Sequence, residues 1–251
     1  MLPPMLSGLR PQRLHATPAR CPASSAVALC RTWVEHVVIG LALCPWAQPV
    51  HEANGIRFAH TAAATRHGVY SALLDEIDAL ASAPPPRGAE TTVLVTPNAF
   101  PTDFRQFNEM VGDFESFLQS EAPLGDQFQV VGFHPHHCFG GEDEEDPGNF
   151  VSRSPCPMVH ILRQQSVTSA LDAGWDTGNV PRSNKLLLHQ LHAAYEGREG
   201  SEGAGAPPSR GRVDARALLE WKARGGGATR TTTFAEFLSF LGGFGGREGQ
   251  R

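Results

Sequence analysis

The sequence predicts an α/β fold: a small mixed sheet of about four strands with amphipathic helices packed on it. Short uncharged runs rich in β-branched residues, such as Thr91–Val95, alternate with longer segments whose apolar residues recur every three or four positions. Breakers rich in Pro and Gly, such as "APPPRG", divide the two kinds of segment. Strands alternating with helices argue for a sheet with mostly right-handed crossovers. An α+β sandwich of ferredoxin-like type is the competing topology.

The elements follow in order. Val27, Cys30, Val34, Val37 and Leu41 form one helical stripe, with Arg31, Thr32 and Glu35 off it. That helix ends by Cys44, because Pro45 disfavours helical geometry in the residue before it. "IRFAHTA" after Gly55 reads as a short strand, and Val69, Leu73, Ile77 and Leu80 mark a second helix. "TTVLVTP" is a buried strand closed by Pro97. Thr102 or Asp103 can cap a third helix with the stripe Phe104, Phe107, Val111, Phe114 and Leu118. "FQVVGFH" and "MVHILR" are the remaining strands. Ser166 can cap a short helix through Leu171, and Ser183 a further one through Tyr195.

This globular α/β core is expected over residues 26–196. Residues 1–25 read as a disordered, removable leader. From Met1 to Val34 the chain has arginines at 10, 13, 20 and 31 and no acid, the composition of an organelle transit peptide for chloroplast or mitochondrion. Residues 197–212 are low-complexity linker. Residues 213–251 read as a helical extension; its aromatic helix, with Phe234 and Phe237, either docks on the core or binds a protein partner.

Composition narrows the function classes. A formal net charge of −5 gives no basic face for non-specific nucleic-acid binding. No apolar stretch approaches the length of a membrane span. Five cysteines, at 21, 30, 44, 138 and 156, are odd in number and show no CxxC spacing, so a disulfide framework is not expected. Lys185 and Lys222 are the only lysines, which makes an arginine here weak evidence for a special contact unless its setting is special.

The segment Phe133–Pro157, "FHPHHCFGGEDEEDPGNFVSRSPCP", concentrates the chemistry. It leaves the carboxyl end of a strand, where open α/β sheets collect ligands, and it is longer than most connections in a compact domain. His134, His136, Cys138 and Asp146 are candidate metal ligands, although no second cluster stands at a recognisable spacing. The alternative is a polar turn with a solvated acidic face from Glu142 to Asp146. Arg153, beside Ser154 and followed by Pro155 and Pro157, is either a receptor for a carboxylate or phosphate, or the partner of the acidic run upstream.

"WVEHVVIGLALCPWA", "FHPHHCFGG", "NFVSRSPCPMVHILR" and "SVTSAL", in that order, resemble an uncharacterised bacterial and plastid family, domain-of-unknown-function family 1415. The resemblance runs from about Cys30 to about His192. Cys44, Pro45, Ala47, His134, Pro135, Phe139, Asp146, Asn149, Arg153, Ser154, Pro155 and Pro157 match its pattern, and His160, Leu162 and Arg163 fit the strand that follows. His136, His137 and Cys138 stand where the family carries Asp, Tyr and Gln, and Ser152 and Cys156 also depart from it. The resemblance therefore lowers the metal reading, raises His134, Asn149 and Arg153, and supplies no reaction; the cofactor stays unknown.

Two functions follow as expectations. The first is an enzyme acting on a small anionic metabolite. Asn149, Arg153, Ser154 and His160 would bind the ligand, His134 would be general acid or base, and Cys44 a nucleophile or redox thiol. Cys44 has a plainer reading as a small buried apolar side chain. The second function is a non-catalytic organellar binding or assembly protein that uses the same loop.

Overall fold

The computed structural model describes residues 23–172, apart from 122, and residues 179–196. The expected linker and C-terminal extension, and the leader up to residue 22, lie outside the described residues. Helix α1 (Ala23–Trp33) starts inside the segment read as leader.

Helix α1 runs on into a π-helical stretch, Val34–Ile39, and α2 (Ala47–Glu52) follows a tight turn. Strand β1 (Ile56–His60), α3 (Arg66–Ser82), β2 (Thr91–Val95), α4 (Phe104–Ser120), a single turn α5 (Leu124–Gln127) and β3 (Phe128–Phe133) come next. A long loop containing a 3-10 helix, Pro147–Val151, leads to β4 (Met158–Arg163), then α6 (Gln164–Asp172) and α7 (Val180–Glu196). The sheet is mixed, with strand order β1-β2-β4-β3. β1 and β2 are parallel, and β4 runs antiparallel to both β2 and β3. The carboxyl ends of β1, β2 and β3 and the amino end of β4 therefore share one edge of the molecule.

The expected stripes explain the packing. Val69, Leu73, Ile77 and Leu80 of α3 and Phe107, Met110, Val111, Phe114 and Leu118 of α4 are buried in one cluster with Leu94, Val130, Val159 and Ile161. Both crossover helices thus cover the same face. The other face packs Val93, Val95 and Met158 against Ala26, Cys30, Trp33, Val34 and Val37. All five residues of β2 are buried, as a central strand with a helix layer on each side requires. Gly132 of β3 is where α4 comes closest; a Cβ there would lie 3.0 Å from the Phe107 ring.

Asp103 accepts from the backbone N–H of Gln106 at 3.0 Å and so caps α4; Thr65 does the same for α3 through Gly68 at 3.3 Å. Two other expected caps differ. α6 and α7 begin ahead of Ser166 and Ser183, at Gln164 and Val180. The Ser166 hydroxyl is turned instead to the carboxylate of Glu90.

Candidate functional site

The loop between β3 and β4 occupies the carboxyl edge of the sheet, together with the turns after the π-helical stretch and after β2. Its two ends are closed on each other: His134 N–H donates to Ser152 O at 3.2 Å, and Thr96, just past β2, donates to Pro157 O through both its N–H (2.9 Å) and its hydroxyl (3.1 Å). Two non-glycine residues with positive φ stand at this edge, Ala42 (52°) and Phe100 (50°). Backbone strain of this kind persists only where the surroundings hold it in place.

His134 holds Phe100. Its residue surface is fully buried, between the rings of Phe104 (5.6 Å between centroids) and Phe107 (5.1 Å). Nε2 lies 2.9 Å from Phe100 O, and Nδ1 lies 3.0 Å from the backbone N of His136. A carbonyl only accepts and an amide N–H only donates, so the ring must be the neutral Nε2–H tautomer. Burial lowers its pKa to about 4, against the opposing pull of the Phe100 carbonyl. Protonation would put a second N–H against the His136 amide. Neither nitrogen is left for a substrate proton.

Asn149 is fully buried and is equally committed. Its Oδ1 accepts from Phe139 N–H at 3.0 Å, and its Nδ2 donates to Asp143 O at 2.8 Å and Glu144 O at 3.3 Å. One side-chain amide thus replaces the strand ladder that this stretch of backbone lacks. Arg153 works the same way: Nε donates to His137 O at 3.0 Å, a terminal nitrogen donates to Glu144 O, and the guanidinium lies 5.0 Å from the Phe150 ring centre. The acidic run is therefore met through a carbonyl, not through its carboxylates. Burial lowers the Arg153 pKa, opposed by the charges of Glu145, Cys138 and Glu144. The buried Ser154 hydroxyl donates to Cys156 O at 2.7 Å.

Helix α7 clamps the outside of the loop. Asp146 caps the 3-10 helix by accepting from Gly148 N–H at 2.7 Å, and it faces His189 at 3.1 Å and Lys185 at 3.9 Å. Lys185 also reaches Glu142 at 2.5 Å. Burial pulls the Asp146 pKa upward, but the Gly148 N–H together with His189 and Lys185 outweighs it and holds the carboxyl below its ordinary value. Gly148 is required here by close approach, since a Cβ would lie 2.9 Å from the Lys185 chain. On α7, Asn184 donates to Leu43 O at 2.7 Å, which ties the turn before Cys44 to the same helix.

The structure thus gathers His134, Asn149, Arg153 and Ser154 into one loop. His134 and Arg153 are linked through His137, which donates its N–H to His134 O at 3.0 Å and offers its carbonyl to Arg153. Cys44 is half-buried, and its neighbour Leu43 shares a buried cluster with Cys156 and Met158. His160 stands apart in the middle of β4, with Nε2 2.7 Å from Thr91 Oγ1. That hydroxyl in turn donates to Ile161 O at 2.5 Å, and burial lowers the His160 pKa to about 4. Of the candidate metal ligands, Cys138 points its thiol at Phe139 O (3.7 Å) and Glu142 O (3.6 Å), and His136 is exposed. Among the described residues no three His, Cys, Asp or Glu side chains are placed to hold a metal ion.

In the sequence His137 stands out only as one more imidazole for a metal and a departure from the family pattern; in the fold its imidazole is set between Phe104 (4.7 Å) and Phe139 (4.6 Å), with both nitrogens buried and without a hydrogen-bond partner. Burial first, then the charges of Arg153 and His134, lowers its pKa to about 4. Sequence reasoning gave no role to Asn184, Lys185 or His189. No local pattern marks them, because their partners lie far away along the chain.

Fold and loop together define a small α/β protein with one cross-braced loop at the carboxyl edge of its sheet. The chain belongs to the family described as a protein of unknown function, DUF1415, which matches residues 25–196. No curated protein and no solved structure matches it. No helix among the described residues is long and apolar enough to cross a membrane.

Proposed function

We propose that this chain is a non-catalytic binding protein of an organelle, and that the loop 134–157 is its rigid recognition surface. One observation carries the reading. The side chains singled out for chemistry are spent on backbone of the loop and of the adjoining turn at Phe100: both nitrogens of His134, the whole amide of Asn149 and the Ser154 hydroxyl. A loop held this firmly is preorganised, and preorganisation lowers the entropy cost of binding. The outward residues are His136, the acids Glu142 to Glu145, and Phe139, which is 41% exposed. An exposed aromatic beside acids fits a protein partner with a basic, partly apolar surface. The acid-free, arginine-bearing leader supports an organelle address.

A photo-crosslinking residue at Phe139 tests this in organelle extract. The control places it at Leu171, which is 48% exposed. A discrete adduct formed only from position 139 is the expected result. Equal labelling from both positions contradicts the reading.

A second reading has its own observation. Arg153 forms no ion pair among the described residues, and its neighbour His137 has two buried, unpartnered nitrogens. That pair is where a small anionic ligand would enter. A metabolite that co-purifies with the chain and is lost in a folded Arg153→Lys variant would favour it.

A further inference from the structure

We infer that Cys30 and Cys156 are the two halves of a reversible disulfide that locks helix α1 to the end of the β3–β4 loop. The two residues are 126 positions apart in the chain (156 − 30), yet they lie in one buried cluster, on the inner face of α1 and just ahead of β4. Neither is in a disulfide, and within that cluster the Cys30 side chain is the group that acts most strongly on the Cys156 thiol. A disulfide there needs the two sulfurs to close to about 2.05 Å with Cβ atoms about 3.8 Å apart. No Cys spacing signals the pair, because folding alone brings it together.

Access decides the order of events. Cys30 is fully buried and Cys156 is 9% exposed, so an oxidant meets Cys156 first. The hydrogen bond from Cys30 also lowers the pKa of Cys156, opposed by burial, which favours it as the attacking thiolate. The oxidant is a low-molecular-weight disulfide. The Cys156 thiolate attacks one of its sulfurs, forming a mixed disulfide and expelling one small thiolate, which takes up the proton that Cys156 lost. Cys30, deprotonated in turn, attacks the Cys156 sulfur and expels the second small thiolate, which takes up the second proton. The protein dithiol has then lost two electrons and two protons, and the oxidant has become two thiols.

The test treats the folded full-length chain with excess oxidised glutathione, alkylates remaining thiols, and maps peptides by mass spectrometry. The expected product carries a Cys30–Cys156 cross-link and is lighter by two hydrogen atoms. It returns to the dithiol in excess reduced glutathione. Cys30→Ala should instead trap a glutathione adduct on Cys156. If that variant fails to fold, the cross-link in the natural chain decides alone. Recovery of Cys30 and Cys156 as alkylated thiols, with glutathione only on Cys44 or Cys138, overturns the inference. A cross-link that forms only in denaturant overturns it too.

Discussion

Two arginines at opposite ends of the sheet make the same kind of contact. Arg153, at the carboxyl edge, donates to His137 O and Glu144 O and lies against Phe150. Arg163, at the far end of β4, donates to Leu80 O at 2.6 Å and Ala89 O at 3.3 Å and lies 5.6 Å from the Phe128 ring centre. Each donates to carbonyls that no ladder satisfies: Arg153 joins two stretches of the loop, and Arg163 ties the end of α3 and the turn after it to β4. The surroundings differ. At the Arg163 end, the connection after α3 is short and exposed, and the arginine acts with the Ser166–Glu90 contact. At the Arg153 end, a buried histidine and a buried asparagine brace the same loop, and α7 clamps it from outside. An arginine on carbonyls is therefore ordinary construction in this chain. The additional bracing singles out the carboxyl edge.

Acid should reveal that difference most strongly. His134, His137 and His160 have pKa values of about 4 in the folded protein, below the ordinary value of 6.5. As pH falls below 6.5 the unfolded chain takes up protons that the folded chain refuses. The stability these groups contribute is thus complete above pH 6.5, is lost between 6.5 and 4, and levels off below. Urea midpoints measured across that window should fall steeply, with an uptake on unfolding approaching three protons. Two of the three groups, His134 and His137, sit in the loop. Amide exchange should therefore accelerate there before it does in β2.

Next comes Asn149→Ala. It leaves Phe139 N–H and the carbonyls of Asp143 and Glu144 without their partner, at a cost of about 3 kcal/mol by denaturant titration. His134→Ala should cost about 2 kcal/mol and loosen the strained turn at Phe100, visible as faster exchange over residues 98–103. Arg153→Lys and Arg163→Lys sharpen the comparison directly. The two Arg153 bonds come from two separate nitrogens, which one ammonium cannot reproduce, so the first should cost about 1 kcal/mol and alter the loop's exchange; both Arg163 bonds come from one terminal nitrogen, so the second should cost less and leave the loop's exchange unchanged. The smallest effect is expected from Glu144→Gln combined with Glu145→Gln. Both side chains are exposed, so stability should stay within about 0.5 kcal/mol, while binding of a basic partner weakens.

The fold was largely legible in the sequence because its long helices and its strands carry clear periods. The four apolar positions foreseen for α3 are its four buried residues, and Asp103 caps α4 as foreseen. The short helices α2 and α5 span too few residues to show a period. The π-helical stretch was hidden because its apolar residues fit an ordinary helical stripe. Near the loop, the resemblance marked His134, Asn149, Arg153 and Ser154 by position, but their work was not legible. Residue type proclaims what a side chain can bond. Only the path of the loop decides that its own carbonyls and amides arrive first. His160 shows the same limit: a histidine in a strand reads as chemistry until Thr91 is seen across the sheet.

If His134 braces the loop and does not move substrate protons, nitrogen-15 NMR of the imidazoles will show it. The Nε2–H tautomer should be the only form at neutral pH, and it should resist protonation down to about pH 4. A His134 signal that titrates near 6.5, or that exchanges between tautomers at neutral pH, would contradict the account.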